Sequence, residues 1–571
     1  MPIATPQSMR GTTPPRQADA IKRARRGDGA PGVRLGKAFL TGNAFLYAME
    51  RRLQALVALC FLLASVAATG FIYIANPLAG HQDSFDHLAL AKIIRDDGKL
   101  VYRYPYGPGY REEDPFLNPE PGFHVWLASL LIITNLHETL LGAILPTIIT
   151  FLLCLGAFVF ARRLFRNDLA GVFCAVAVVG MRSSRLFLGP QFLVPMALGI
   201  ALIPFNLLFF MKAEREKRFI PLSAATFFGS ALIHPVFAIT LLPAFALLMI
   251  SNLKKIRRNA IIFVGGGAIL LYLSKFFATF LKIDPNQGWI SFLLELISKL
   301  QIEAWRPEER LLEISGYSNW LVVGLAGFGV AAVLLFALAM ESRALSRKGN
   351  RLAGMYNEKM LAIALYSGMM AALFFMFRLS GVSFLAPGAR IYQIVGFFIM
   401  FFCGYGIYVA FRFVESFRGM HENLPATEIV SALFAIVLVF AVFSTAIAMD
   451  SDKVNSNPNA IDREFFTWVN GNVPKGGAIY VFPVLGKAFY LETLRKPSIT
   501  EASRMGQPPE TIPELFDFPK AGCAQKEKTM AKYSLSFAHS YDEINCGGFA
   551  KVYSFLGKNL EDNYFYSFAG R

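Results

Sequence analysis

The chain has 571 residues, 54% of them hydrophobic and only 17% charged, and its mean hydropathy is +0.44. Soluble proteins carry nearer a quarter charged residues, so these proportions exclude a soluble enzyme and point to a polytopic membrane protein. The formal charge of +16 does not signal nucleic acid, because most of the excess lies in the N-terminal tail and in short loops between apolar runs, where basic residues set membrane orientation.

Residues 1–51 are basic, rich in Pro and Gly and poor in large apolar side chains. That composition predicts a disordered cytoplasmic tail able to touch anionic lipid. A cleaved signal peptide does not fit, because the first apolar run begins near Leu53 and is as long as a full span. Residues 52–449 then hold about eleven apolar runs, each of a length that crosses a bilayer as a helix whose backbone satisfies its own hydrogen bonds. The expected spans are 53–74, 139–160, 168–181, 189–211, 218–233, 236–251, 259–281, 318–340, 358–377, 391–411 and 427–449.

The Arg51-Arg52 pair predicts that the first span runs from inside to outside, which puts the loop at 76–138 on the outer face. Its apolar stretch Phe123–Thr134 is short for a crossing and is assigned to the outer interface, where Trp126 suits the headgroup level. With that assignment the basic loops near 161–166, 212–218, 253–258, 341–351 and 412–421 all fall inside. Making the stretch a crossing would reverse them. The chain is therefore expected in a plasma or inner membrane, with its N-terminus cytoplasmic and its C-terminus extracytoplasmic.

Residues 450–571 are long enough for one small domain. GGAIYVFPVL, FAKVYSF and YFYSF read as strands and REFFTWVNGNV as a helix, which predicts an extracytoplasmic α/β domain. Of six cysteines, Cys60, Cys154, Cys174 and Cys403 lie in apolar runs and act as small hydrophobes. Cys523 and Cys546 lie in the polar C-terminal part at a spacing that suits a disulfide outside the cytoplasm.

Chemistry concentrates in the first outer loop. Asp83, Asp86 and His87 stand at i, i+3 and i+4, on one face of a helix leaving the first span. Two carboxylates and an imidazole suit a divalent metal, Mg or Mn, or shared acid/base work, and the acids equally suit the dipole of a helix N-terminus. Glu113 and Asp114 either cap the next helix or line a cavity. Tyr102, Tyr104, Tyr106 and Tyr110 suit stacking on sugar rings or an aromatic cover at the interface. No Walker loop, Rossmann fingerprint or zinc spacing occurs, which argues against nucleotide-driven transport and nucleotide-sugar donors.

An Asp four residues ahead of a His just after the first span, an amphipathic helix ending in Gly98, then Asp114-Pro115, then Pro121-Gly122-Phe123-His124 opening an apolar helix, resembles the first outer loop of the GT-C glycosyltransferases. The likeness is to oligosaccharyltransferase catalytic subunits and related prokaryotic membrane glycosyltransferases. The resemblance implies a sugar donor linked to a polyprenyl phosphate or pyrophosphate in the bilayer, and transfer at the outer face to a glycan, lipid or protein acceptor. The acidic residue of the family's loop matches Asp83 first and Asp86 second. In that role a carboxylate takes a proton from the acceptor, or orients it through a metal, and one direct displacement inverts C1.

The next outer loop, at 182–188, departs from the metal-using oligosaccharyltransferases, because it reads RSSRLFL with no acid. That weakens the metal and shifts the expectation toward single sugars or a non-protein glycan. Arg182 and Arg185 suit a phosphate or simply snorkel to the interface. Arg390, at the outer end of the tenth span, runs against the inside bias of positive charge, and a lipid phosphate supplies a reason for it. His234, at an outer turn, suits either a structural place or the cavity wall. The rival expectation is a lipid-linked glycan transporter or other solute carrier without catalysis, which predicts charged groups at mid-membrane. The expected spans are nearly free of charge apart from Lys275.

Overall fold

The computed structural model describes residues 82–100, 120–181, 189–190, 192–251, 302–303, 320–341, 358–380, 382–383, 386, 388–418, 460–474, 478–481, 517–556 and 562–569, with the isolated positions 63, 69 and 493. The tail at 1–51, the expected spans 53–74 (apart from 63 and 69), 259–281 and 427–449, the loop at 182–188, and Glu113, Asp114 and the tyrosine series lie outside the described residues.

Ten helices occupy the apolar part among the described residues: α1 Gln82–Asp97, α2 Pro121–Thr134, α3 Glu138–Phe165, α4 Asp168–Val179, α5 Pro195–Ala213, α6 Ile220–Ile233, α7 Pro235–Ile250, α8 Trp320–Glu341, α9 Glu358–Ser380 and α10 Gly388–Arg418. Proline opens α2, α5, α6 and α7 in the first turn, where its missing N–H is no loss. Among the described residues four segments, Glu138–Phe165, Pro195–Ala213, Glu358–Ser380 and Arg390–Phe413, are long and apolar enough to cross a membrane. The expected spans over α4, α6 and α7 are shorter helices of 12, 14 and 16 residues. At about 1.5 Å per residue these do not by themselves reach across roughly 30 Å of hydrocarbon.

The two faces of α3 show the environment of the bundle. Leu141, Leu145, Ile149 and Leu153 are buried in the core, whereas Leu140, Ile144 and Ile148 are 48%, 40% and 42% exposed. A helix facing water would carry polar residues on that outer stripe. An apolar stripe at i, i+4 and i+8 fits hydrocarbon, as do exposed Ile132, Ile133 and Leu379. Small residues bring the central helices together. A Cβ on Gly406 would land on the Leu325 carbonyl oxygen, and one on Gly404 would stand 2.5 Å from the Cys174 Cα. The aromatic helix α10 thus packs close to α8 and α4, as small-residue interfaces allow in bilayers.

In the C-terminal part a four-stranded sheet, order β3-β4-β6-β5, is built from β3 Ala478–Tyr480, β4 Leu535–Ser540, β5 Phe549–Leu556 and β6 Asp562–Phe568. β3 and β4 are parallel, and the other pairs are antiparallel. Helix α11, Ala460–Asn472, stacks Phe465 on Phe555 and Trp468 on Tyr553. Helix α12, Cys523–Lys532, contributes Met530 to a second cluster with Tyr480, Phe518, Ala538 and Tyr566. Cys523 and Cys546 are disulfide-bonded, which ties the start of α12 to the chain just before β5. A two-stranded pairing, β1 Ile302–Glu303 with β2 Val382–Ser383, lies elsewhere in the chain.

His539 is fully buried in this sheet, with Nε2 3.0 Å from Asn563 Oδ1 and its ring against Phe465 and Phe555. Burial holds its pKa down at about 4, from an ordinary 6.5. The unfolded chain takes up this proton first as pH falls, so the contribution is fully present above 6.5 and is lost as pH drops toward 4. About 3 kcal/mol of stability is at stake. Chemical denaturation of the purified chain followed between pH 7 and pH 4 should show that loss, and His539→Gln should flatten the dependence.

Candidate functional site

Helix α1 is buried over its described N-terminal residues from Ser84 onward. Residues 84–91 are all buried, including Asp86 at 1% exposure and His87 at 7%. Buried polar groups need partners, and α2 supplies one. His87 Nδ1 and His124 Nε2 are 2.8 Å apart, their rings stack at 5.1 Å, and Phe123 meets His87 edge-on at 5.3 Å. The other half of α1 is fastened to the start of α3, where Arg95 Nη1 lies 2.9 Å and Lys92 Nζ 3.6 Å from Glu138 Oε1.

Gly122 lets α2 approach the end of α6, since a Cβ there would stand 2.6 Å from the Leu232 Cβ. That approach brings Glu120, the N-cap residue of α2, to 3.6 Å from His234 Nε2. His234 is extended, closes α6 and opens α7, and sits buried against Phe237. Burial, the Arg390 charge and His87 push its imidazole well below the usual range, so it stands neutral between Glu120 and Arg390. Arg390, partly buried in the first turn of α10, contacts the sulfur of Met196 at the start of α5.

The starts of α5, α7 and α10 therefore gather near one guanidinium, the start of α2 reaches His234 beside them, and His87 of α1 is near enough to act on His234. Helix N-termini carry partial positive charge and unsatisfied N–H groups, so together with Arg390 they favour an anion. Asp83 lies in the first turn of α1, and its side chain lies outside the described residues. Arg182, Arg185, Glu113 and Asp114 lie outside them too. His124, Glu120 and Met196 had no role in the sequence reading. The Pro-Gly-Phe-His run marked His124, while Glu120 and Met196 carried no signal beyond preceding or following a helix-opening proline.

Among the described residues no group of three His, Cys, Asp or Glu side chains is placed to hold a metal ion. His124 occupies the Nδ1 of His87. Asp86 and His87 alone make a two-ligand set, short of the coordination a resident divalent ion takes from protein and water unless substrate oxygens complete it.

No protein-family model matches the chain, and no curated protein matches its sequence. Solved structures match its fold. The oligosaccharyltransferase of Archaeoglobus fulgidus, in complex with Zn and sulfate, aligns with a TM-score of 0.54 at 12% identity, over 85% of this chain and 67% of that one. The archaeal oligosaccharyltransferase AglB from the same organism, in complex with an inhibitory peptide and a dolichol-phosphate, gives 0.48 at 14% identity, over 90% and 74%. ArnT from Cupriavidus metallidurans bound to undecaprenyl phosphate gives 0.47 at 11% identity, over 88% and 97%. The first of these alignments shows that the chain shares the fold of that structure.

Proposed function

We propose that the chain is a membrane glycosyltransferase that moves a sugar from a polyprenyl-phosphate-linked donor to a glycan, lipid or protein acceptor at the outer membrane face. The observation that supports this most directly is the run of contacts that joins buried His87, beside Asp86 on α1, through His124 and Glu120 of the α2 region and His234, to the guanidinium of Arg390. A group-transfer site for a phosphate-linked sugar needs both halves. The acidic side, Asp83 or Asp86, takes the proton of the acceptor as its oxygen or nitrogen bonds to C1. The bond from C1 to the phosphate oxygen breaks, and the electron pair leaves with the phosphate. Arg390 meets that growing negative charge, with the helix N-termini behind it. His87, held by His124, positions the acidic face, and Glu120 with neutral His234 forms the wall between the halves. One displacement of this kind inverts C1. A divalent metal, where present, would sit against Asp86 and His87 together with Asp83.

The test begins with the lipid-linked saccharide that accumulates in a deletion strain, identified by mass spectrometry and supplied to the purified chain in neutral-lipid nanodiscs. The expected result is acceptor-dependent release of polyprenyl phosphate, with Arg390→Ala raising KM for the donor roughly 10- to 100-fold, the size of a lost hydrogen bond to a charged group. Movement of the intact lipid-linked saccharide between leaflets, with no cleavage, would establish the carrier instead.

A further inference from the structure

At the far end of α5 lies a second polar place. Arg162, Arg163, Arg166, Lys212, Arg215 and Lys359 line a cavity of about 520 Å³ between the ends of α3 and α5 and the start of α9. Among the described residues two carboxylates answer them: Asp168 Oδ1 lies 2.6 Å from Arg162 Nε, and Glu214 pairs with Lys359. Cations are thus in clear excess in this wall. Arg163 is close enough to Lys359 for the two charges to repel. Convergent like charges are held at an energetic cost that an anion in their midst relieves.

The two ends of the bundle are separated by a membrane thickness. α5 runs 19 residues from Pro195 to Ala213, with Met196 in its first turn beside Arg390 and its last turn at the cavity, a rise of about 28 Å. Hydrocarbon is about 30 Å thick, so the cavity opens at the opposite interface from the candidate site. The cavity is not uniformly polar. Val159, Leu208 and Met211 supply an apolar wall beside the guanidinium groups. A soluble anion uses only the charges, whereas a lipid uses both, with phosphate on the forks of the arginines and the first carbons of its chains on the apolar side.

We propose that this cavity binds a phosphate diester, the headgroup of an anionic phospholipid in the leaflet opposite the candidate site. The full chain in neutral detergent, titrated with phosphatidylglycerol, phosphatidylcholine or inorganic phosphate and followed by native mass spectrometry, tests this. Phosphatidylglycerol should be retained at least 10-fold more tightly than phosphatidylcholine. The double variant Arg166→Asn with Arg215→Ala should lose that preference. Asn suits the left-handed backbone at 166, where φ is 53°, and both side chains are exposed, so the unfolding midpoint without lipid should stay put. Arg218→Ala, which removes an exposed arginine bonded to Glu216 outside the cavity, should change nothing. Equal retention of the two lipids, or an equal loss in Arg218→Ala, would overturn the proposal. Binding of inorganic phosphate through the same arginines with phosphatidylglycerol ignored would overturn the lipid in favour of a soluble anion.

Discussion

Replacing Asp83 by Asn is expected to lower kcat for sugar transfer by about 10²- to 10⁴-fold, the usual worth of a positioned general base, while KM for the donor changes little. Asn keeps the shape of the side chain and removes only its ability to take a proton, so donor binding through Arg390 and folding should survive. Asp86 is the second candidate. It lies on the same face of α1, is 1% exposed, and neighbours the His87–His124 pair. If Asp86 is the base, Asp86→Asn takes the large loss and Asp83→Asn the small one. A base leaves a second signature, because the acid limb of the kcat profile should disappear in the variant that lost it. Full activity in both variants would remove the carboxylates from the mechanism and leave a donor-binding protein with another purpose.

How much of this was legible beforehand depends on the distance over which each feature is determined. The face on which Asp86 and His87 each meet Asp83, at i+3 and i+4, follows from helical period alone, and the helix appears at Gln82–Asp97. So do the helices at 138–165, 358–380 and 388–418, whose apolar composition leaves little choice in a bilayer. The partners of those residues were less accessible. His124 is 37 residues from His87, and Glu120 meets His234 only because Gly122 admits the end of α6. These contacts depend on helix packing, for which hydrophobic pattern carries little information when nearly every position is apolar. Arg390 was a partial exception, since a cation at the wrong end of a span asks for a partner. In the C-terminal part β5 and β6 matched their aromatic runs. β4, LSFAHS, went unread because its small and polar residues break the strand pattern, although it is the strand that joins β3 to β6.

The largest stability effect is expected from splitting the Glu214–Lys359 pair. Both side chains are nearly inaccessible, at 1% and 5%, and they join the end of α5 to the start of α9. Removing either ion weakens what compensates the buried charge of the other. Glu214→Ala should therefore cost about 3 to 5 kcal/mol, the usual penalty when one member of a buried pair is removed. The double variant Glu214→Leu with Lys359→Met removes both charges and restores apolar volume. It should return most of the lost stability, because replacing a whole buried pair by well-packed apolar groups is often close to neutral. Unfolding of the purified chain in neutral detergent, followed by intrinsic fluorescence in a denaturant series, measures the cycle. A single-variant loss under about 1 kcal/mol would mean that water reaches the pair and screens it. A double variant as unstable as the single one would instead assign the cost to lost packing between α5 and α9 rather than to stranded charge.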